Sequence, residues 1–166
     1  MENKMRSISA LALSIALGGI LFVTGTVNAQ DEPGKEITVP GETGLKWIDT
    51  GITVAAGDTI MLDAKGEVDV GGSWGVHGPE GTTKFSEQPP GYYPLETKLR
   101  YGVAAKIIPT PVRGKKSPVQ TWIYGEKKEV VAARTGKLWL TVNDDSPEGN
   151  VGEFKVTVTI IKKKTK

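Results

Sequence analysis

The chain has 166 residues, with 21 Lys and Arg against 19 Asp and Glu, a single histidine and no cysteine. That length suits one domain with a short appendage, and a net charge of +2, evenly spread, gives no reason to expect nucleic acid as a partner. The lack of cysteine rules out disulfides, Cys-ligated zinc, a thiol nucleophile and an acylated lipoprotein cysteine, and one histidine rules out a two-histidine metal site.

The N-terminus reads as an export signal. Lys4 and Arg6 form a basic start, and Ser7 to Gln30 then carries no charge around an apolar heart from Leu11 to Val23. Val27-Asn28-Ala29 ends it with small residues at the −3 and −1 positions of a secretory cleavage site. The apolar run, broken by Gly18-Gly19, is short against the roughly 20 residues of a membrane span. Residues 1–29 are therefore expected to be a cleaved signal peptide and residues 30–166 a single mature domain. That domain is secreted or periplasmic, with no integral membrane span.

The mature chain reads as all-β, because its apolar residues recur with period two. Ile60 and Leu62 precede Val68 and Val70 across Ala64-Lys65-Gly66, a pattern that predicts a hairpin. Gly71 to Thr97 is a long loop with six glycines, four prolines and the aromatics Trp74, Phe85, Tyr92 and Tyr93, which supply enough apolar surface to hold it on the body. Glu126 to Arg134 has some helical character, but Gly125 and Gly136 confine it, and a short strand is favoured. Leu138, Leu140 and Val142 share one strand face, as do Phe154, Val156, Val158 and Ile160. The lysines from Lys162 to Lys166 read as a solvated, frayed end. Short strands punctuated by turns predict a β-sandwich of two antiparallel sheets, jelly-roll-like.

Catalytic motifs fail on context. Gly71-Gly72-Ser73-Trp74-Gly75 fits G-x-S-x-G, but His77 follows too closely and Gly78-Pro79 prevents the helix that motif needs. Asp144-Asp145-Ser146-Pro147 begins like an EF-hand loop, yet Pro147 intrudes and Lys155 stands at the twelfth position. Asp63, Glu67 and Asp69 are acids of a strand face, where solvation is the simpler reading than a glycosidase pair. The oxygen-rich stretch from Asn143 to Asn150, with Asp144, Asp145 and Glu148 between, remains open as either a solvated turn or a calcium loop.

From Trp47 to Ile160 the chain resembles the PA-IL-like galactophilic lectins. The matching pieces occur in order: Trp47-Ile48-Asp49-Thr50-Gly51-Ile52-Thr53-Val54, Gly57-Asp58-Thr59-Ile60, Gly78-Pro79-Glu80-Gly81, Leu99-Arg100-Tyr101-Gly102-Val103-Ala104-Ala105-Lys106-Ile107 where that family has its central strand, Gly136-Lys137-Leu138-Trp139-Leu140-Thr141-Val142-Asn143-Asp144, and Gly152-Glu153-Phe154-Lys155-Val156. The resemblance implies a β-sandwich that binds carbohydrate without catalysis, through a calcium ion. It implies Asp144 as the residue touching both metal and sugar, Asn150 as a second ligand, and the carbonyl of Val70 or Gly71 as a backbone ligand. Gly149 stands where the family has an acid or amide, and the loop is about two residues shorter, so Asp145 and Glu148 are the residues left to make up the donors. The family's sugar-contacting histidine and glutamine have no counterpart; His77 lies too early and Phe85 is nearer the position. Asp144 and Asp145 with Trp74, Tyr92 and Tyr93 form the expected sugar site, the rings packing on sugar C–H faces.

The expected partner is carbohydrate or a glycan-bearing surface, and a homo-oligomer is compatible with it. The alternative is an envelope structural or protein-interaction module on the same fold that has lost metal and sugar binding. An accessory domain of an exported enzyme complex is a third reading.

Overall fold

The computed structural model describes residues 34–85 and 93–164, so the signal segment and Tyr92 lie outside the described residues. Nine strands follow one another: β1 (Lys35–Pro40), β2 (Ile48–Val54), β3 (Thr59–Asp69), β4 (Val76–His77), β5 (Val103–Pro109), β6 (Gln120–Ile123), β7 (Glu129–Val131), β8 (Gly136–Val142) and β9 (Val151–Ile161). They form two antiparallel sheets. In the first, β9 lies between β1 and β3, while β7 and β4 share the far edge of β3; the second runs β2-β8-β5-β6.

Period-two patterning builds the core. Phe154, Val156, Val158 and Ile160 of β9, with Ile60, Leu62 and Val68 of β3, face Leu138, Leu140 and Val142 of β8 and Val103, Ala105 and Ile107 of β5, all of them buried. Apolar residues on alternate positions of both sheets can meet only if the sheets stack face to face, which is the sandwich expected from the sequence.

The hairpin expected around Ala64-Lys65-Gly66 is absent. β3 is continuous over 11 residues and pairs with β9 from Thr59↔Ile161 to Asp69↔Val151. Gly66 does adopt positive φ (105°), but inside the strand, where a Cβ would press into the Glu153 carbonyl; Gly152 does the same against Glu67. The glycines therefore bend a long two-strand ribbon and let its backbones approach closely. The Glu126–Arg134 segment forms the short strand β7, as expected.

The C-terminal lysines are tied down where they begin. The Lys163 N–H donates to Asp58 Oδ1 at 3.1 Å, and the Lys162 ammonium lies 3.5 Å from Asp58 Oδ2. The expected fraying does not reach these two residues.

Candidate functional site at one end of the sandwich

Strand register gathers the irregular segments at one end. Asp69 ends β3 opposite Val151, which starts β9, and Val103 starts β5 opposite Val142, which ends β8. The β8–β9 loop, the β3–β4 turn and the segment entering β5 therefore share an edge of the molecule.

Asn143 anchors this end. It is fully buried, its side-chain oxygen accepts the Leu95 N–H at 2.9 Å, and its amide nitrogen donates to the Leu99 carbonyl at 2.8 Å. Its backbone bonds to Tyr101 and Gly102. Asn143 was among the oxygen donors of the loop in the sequence; its side chain is instead committed to holding the segment that enters β5.

Asp144 follows, 3% exposed. Its Oδ1 accepts the Ser146 N–H at 3.0 Å and its Oδ2 accepts the Asn150 Nδ2 at 2.7 Å. That same Asn150 nitrogen donates to the Gly41 carbonyl at 3.1 Å, so the amide faces Asp144 through nitrogen and ties the loop to the end of β1. Gly149 has positive φ (84°) and open space around it, a turn position rather than a ligand position.

Across from Asp144 stands an aromatic wall. In the β3–β4 turn the Trp74 N–H bonds to the Gly71 carbonyl, leaving the Trp74 ring 37% exposed. Trp74 meets Phe85 edge-on at 4.7 Å, and His77 stacks on Tyr101 at 4.8 Å. Tyr101 is buried and has a φ of 63°, rare for a bulky residue. The segment Leu99–Ile107, matched as one central strand in the sequence, is therefore strand only from Val103, and the turn at Tyr101 aims its ring at the site.

Burial pushes the Tyr101 phenol well above its ordinary value, helped by its hydrogen bond to Tyr93 and the nearby charges of Asp144 and Asp145. Burial likewise raises Tyr93, with the Asp145 charge adding to it. Both phenols thus stay neutral. Arg100 packs its guanidinium 3.8 Å over the Tyr93 ring.

These groups enclose a pocket of about 320 Å³. Asp144, Asp145, Ser146 and Glu148 line one side, and Val70, Trp74, Tyr93 and Tyr101 the other. A second hollow of about 510 Å³ lies across the same loop, between Glu42, Leu45 and Lys46 and the stretch Asp145–Gly149. The structure thus brings together Val70, Asp144, Asp145, Glu148, Trp74 and Tyr93 from the residues singled out in the sequence. Asn150 braces Asp144 by its hydrogen bond and is not part of the lining. Tyr101 and Ser146 were missed; Tyr101 gave no local signal because it lay in an apparent strand.

As a cation site the arrangement is loose. Among the described residues no three Asp, Glu, His or Cys side chains come close enough to grip one ion. The serine of Gly71-Gly72-Ser73-Trp74-Gly75 sits in a turn with no helix behind it, and His77 Nε2 pairs with the Trp74 carbonyl at 2.9 Å, so a nucleophile elbow is not formed.

Fold and site together define an all-β sandwich with an acidic, aromatic-walled pocket between its end loops. No protein-family model matches the chain, and no curated protein matches it. Among solved structures it is similar to one described as the EclA N-terminal domain, a PllA-like lectin, at 21% identity over 75% of this chain and 94% of that one, with a TM-score of 0.48.

Proposed function

We propose that the protein is a secreted or periplasmic, non-enzymatic carbohydrate-binding protein of lectin type, with galactose-type sugars in the end pocket. The observation that carries this reading is the convergence of three carboxylates and three aromatic faces on one pocket of about 320 Å³. Sugars present hydroxyl rows to carboxylates and C–H faces to rings, and the volume falls at the small end of ligand sites. Asp144, Asp145, Trp74 and Tyr93 are the proposed contacts, with Tyr92, which lies outside the described residues, as a further candidate. Calcium is proposed as an assisting ion on Asp144, Asp145, Glu148 and the Val70 carbonyl, with Asn150 joining as a further ligand once its amide turns its oxygen, in place of the nitrogen that now bonds Asp144, towards the ion. A dissociation constant on the order of 10⁻⁴ to 10⁻³ M suits such a sparse donor set. Export proceeds through cleavage after Ala29, which the intact mass of the natural protein reads directly.

A glycan array probed with the mature chain in calcium and in EDTA tests this. Binding to galactose-terminated glycans is expected, stronger in calcium; no binding to any glycan in either buffer refutes it. One observation favours a second reading, an envelope interaction module without metal or sugar. The Asn150 amide already satisfies Asp144, so the loop holds its shape with no ion. Identical melting curves in calcium and EDTA, with an empty array, would establish that alternative.

A further inference from the structure

The pocket is more negative than neutral sugars require. Asp144, Asp145 and Glu148 surround it, and no Lys, Arg or His side chain belongs to its lining. Asp144 directs its oxygens to Ser146 and Asn150, which leaves half-buried Asp145 and exposed Glu148 as the carboxylates nearer solvent.

The facing wall is a cation-receptive surface of a second kind. Trp74, Tyr93 and Tyr101 line it, and aromatic faces attract positive charge through their quadrupoles. Tyr93 already holds one cation on its ring, the Arg100 guanidinium at 3.8 Å. His77, stacked on Tyr101, and Lys84, 5.2 Å over the Phe85 ring that meets Trp74, are further basic groups behind this wall. Burial keeps both phenols protonated, so the wall itself adds no negative charge that a sugar would meet.

We propose that this pocket selects sugars carrying a free, protonated amino group, with the ammonium held between the carboxylates and the aromatic wall. The inference rests on the carbohydrate reading above and adds to it the charge class of the sugar. An ammonium offers three N–H donors to carboxylate oxygens and a positive charge to the rings, so the ligand supplies the charge that calcium would otherwise bring. N-acetylation removes that charge, and a hydroxyl at the same carbon lacks it.

Calorimetric titration of the mature chain with galactose, N-acetylgalactosamine and galactosamine, each in EDTA and in calcium, is the test. In EDTA galactosamine should bind about tenfold more tightly than the two neutral sugars, a preference that shrinks in high salt because part of it is Coulombic. The Asp145→Asn, Glu148→Gln double variant should melt like the wild type and lose the preference. Equal affinity for the three sugars overturns the inference and leaves the carbohydrate reading standing. Methylamine binding as tightly as galactosamine also overturns it, since the ring of the sugar would then contribute nothing. If none of the three binds in either buffer, the carbohydrate reading itself falls.

Discussion

Replacing Asn143 with alanine should unfasten the segment that carries Tyr101. The side chain is fully buried and closes two hydrogen bonds, from Leu95 N–H at 2.9 Å and to the Leu99 carbonyl at 2.8 Å. Leaving one buried polar group unpaired costs about 1–3 kcal/mol. Leu95 and Leu99 are only half-buried, so water can repair part of the loss, and the two together should cost about 2–4 kcal/mol. For a domain of this size each kcal/mol lowers the Tm by about 4 °C, which gives a fall of about 8–16 °C. Asn143→Asp separates hydrogen bonding from volume. It keeps an acceptor for Leu95 but turns an oxygen towards the Leu99 carbonyl. Burial raises such a carboxyl, so the variant should be poor at pH 7 and recover on acidification, when the protonated group donates to Leu99. Thermal melts from pH 4 to 8 read both effects. An alanine variant melting within about 2 °C of wild type, or an aspartate variant as stable as wild type at pH 7, would refute the anchoring role.

Asp58 should govern acid stability. Burial alone would raise its carboxyl, but N–H donors from Ala55 and Lys163 and the Lys162 ammonium outweigh it and hold the group below the ordinary range. A carboxyl depressed on folding stabilises above its unfolded pKa and loses that contribution as pH falls through the folded value. The wild-type Tm should therefore drop below about pH 4, less steeply in Asp58→Asn; parallel profiles would contradict it. Gly66→Ala, with φ at 105° and the Glu153 carbonyl in the way, should destabilise by about 2–4 kcal/mol in a denaturant melt, and a loss under about 0.5 kcal/mol would show that the ribbon yields there. If calcium binds, a hundredfold excess over its dissociation constant should add about 2.7 kcal/mol of stability, absent in Asp144→Ala. Asn150→Asp sets a second carboxylate where the 2.7 Å hydrogen bond now lies, so it should melt lower than wild type in EDTA and gain more from calcium; an unchanged calcium response would exclude Asn150 as a ligand position.

The sheets were legible where burial alternates along a strand. Leu138–Leu140–Val142 and Phe154–Val156–Val158–Ile160 announced their inward faces because both neighbours in the sandwich need an apolar surface there. β3 was not legible. A glycine with positive φ is the local mark of a turn, and what makes Gly66 part of a strand is β9, an equally long partner more than eighty residues away in the chain. Thr141 is likewise on the outer side of β8, yet it is fully buried, because its hydroxyl donates to the Gly44 carbonyl of a covering loop that no pattern in β8 foretells. At the site, the oxygen-rich run Asn143–Asn150 is the loop that lines the pocket, while the division of labour within it depends on tertiary partners. Asn143 and Asn150 are chemically alike in sequence; one serves Leu95 and Leu99, the other Asp144 and Gly41.

The pairing of Asp144 with Asn150 lets the loop keep its shape without an ion, and would make any ion bound there a weak one. A nearly buried carboxylate must be compensated, and here an amide nitrogen and a backbone N–H do so without an ion. Any cation arriving at Asp144 gains only the difference between its own attraction and the hydrogen bond it displaces, and Gly149 offers no further oxygen from a side chain. A loop kept in shape by its own hydrogen bonds can then present Asp145 and Glu148 outward, opposite Trp74 and Tyr93, whether or not calcium is present. On the reading proposed above, recognition at such a site would depend first on what charge the ligand carries, and only then on the ion.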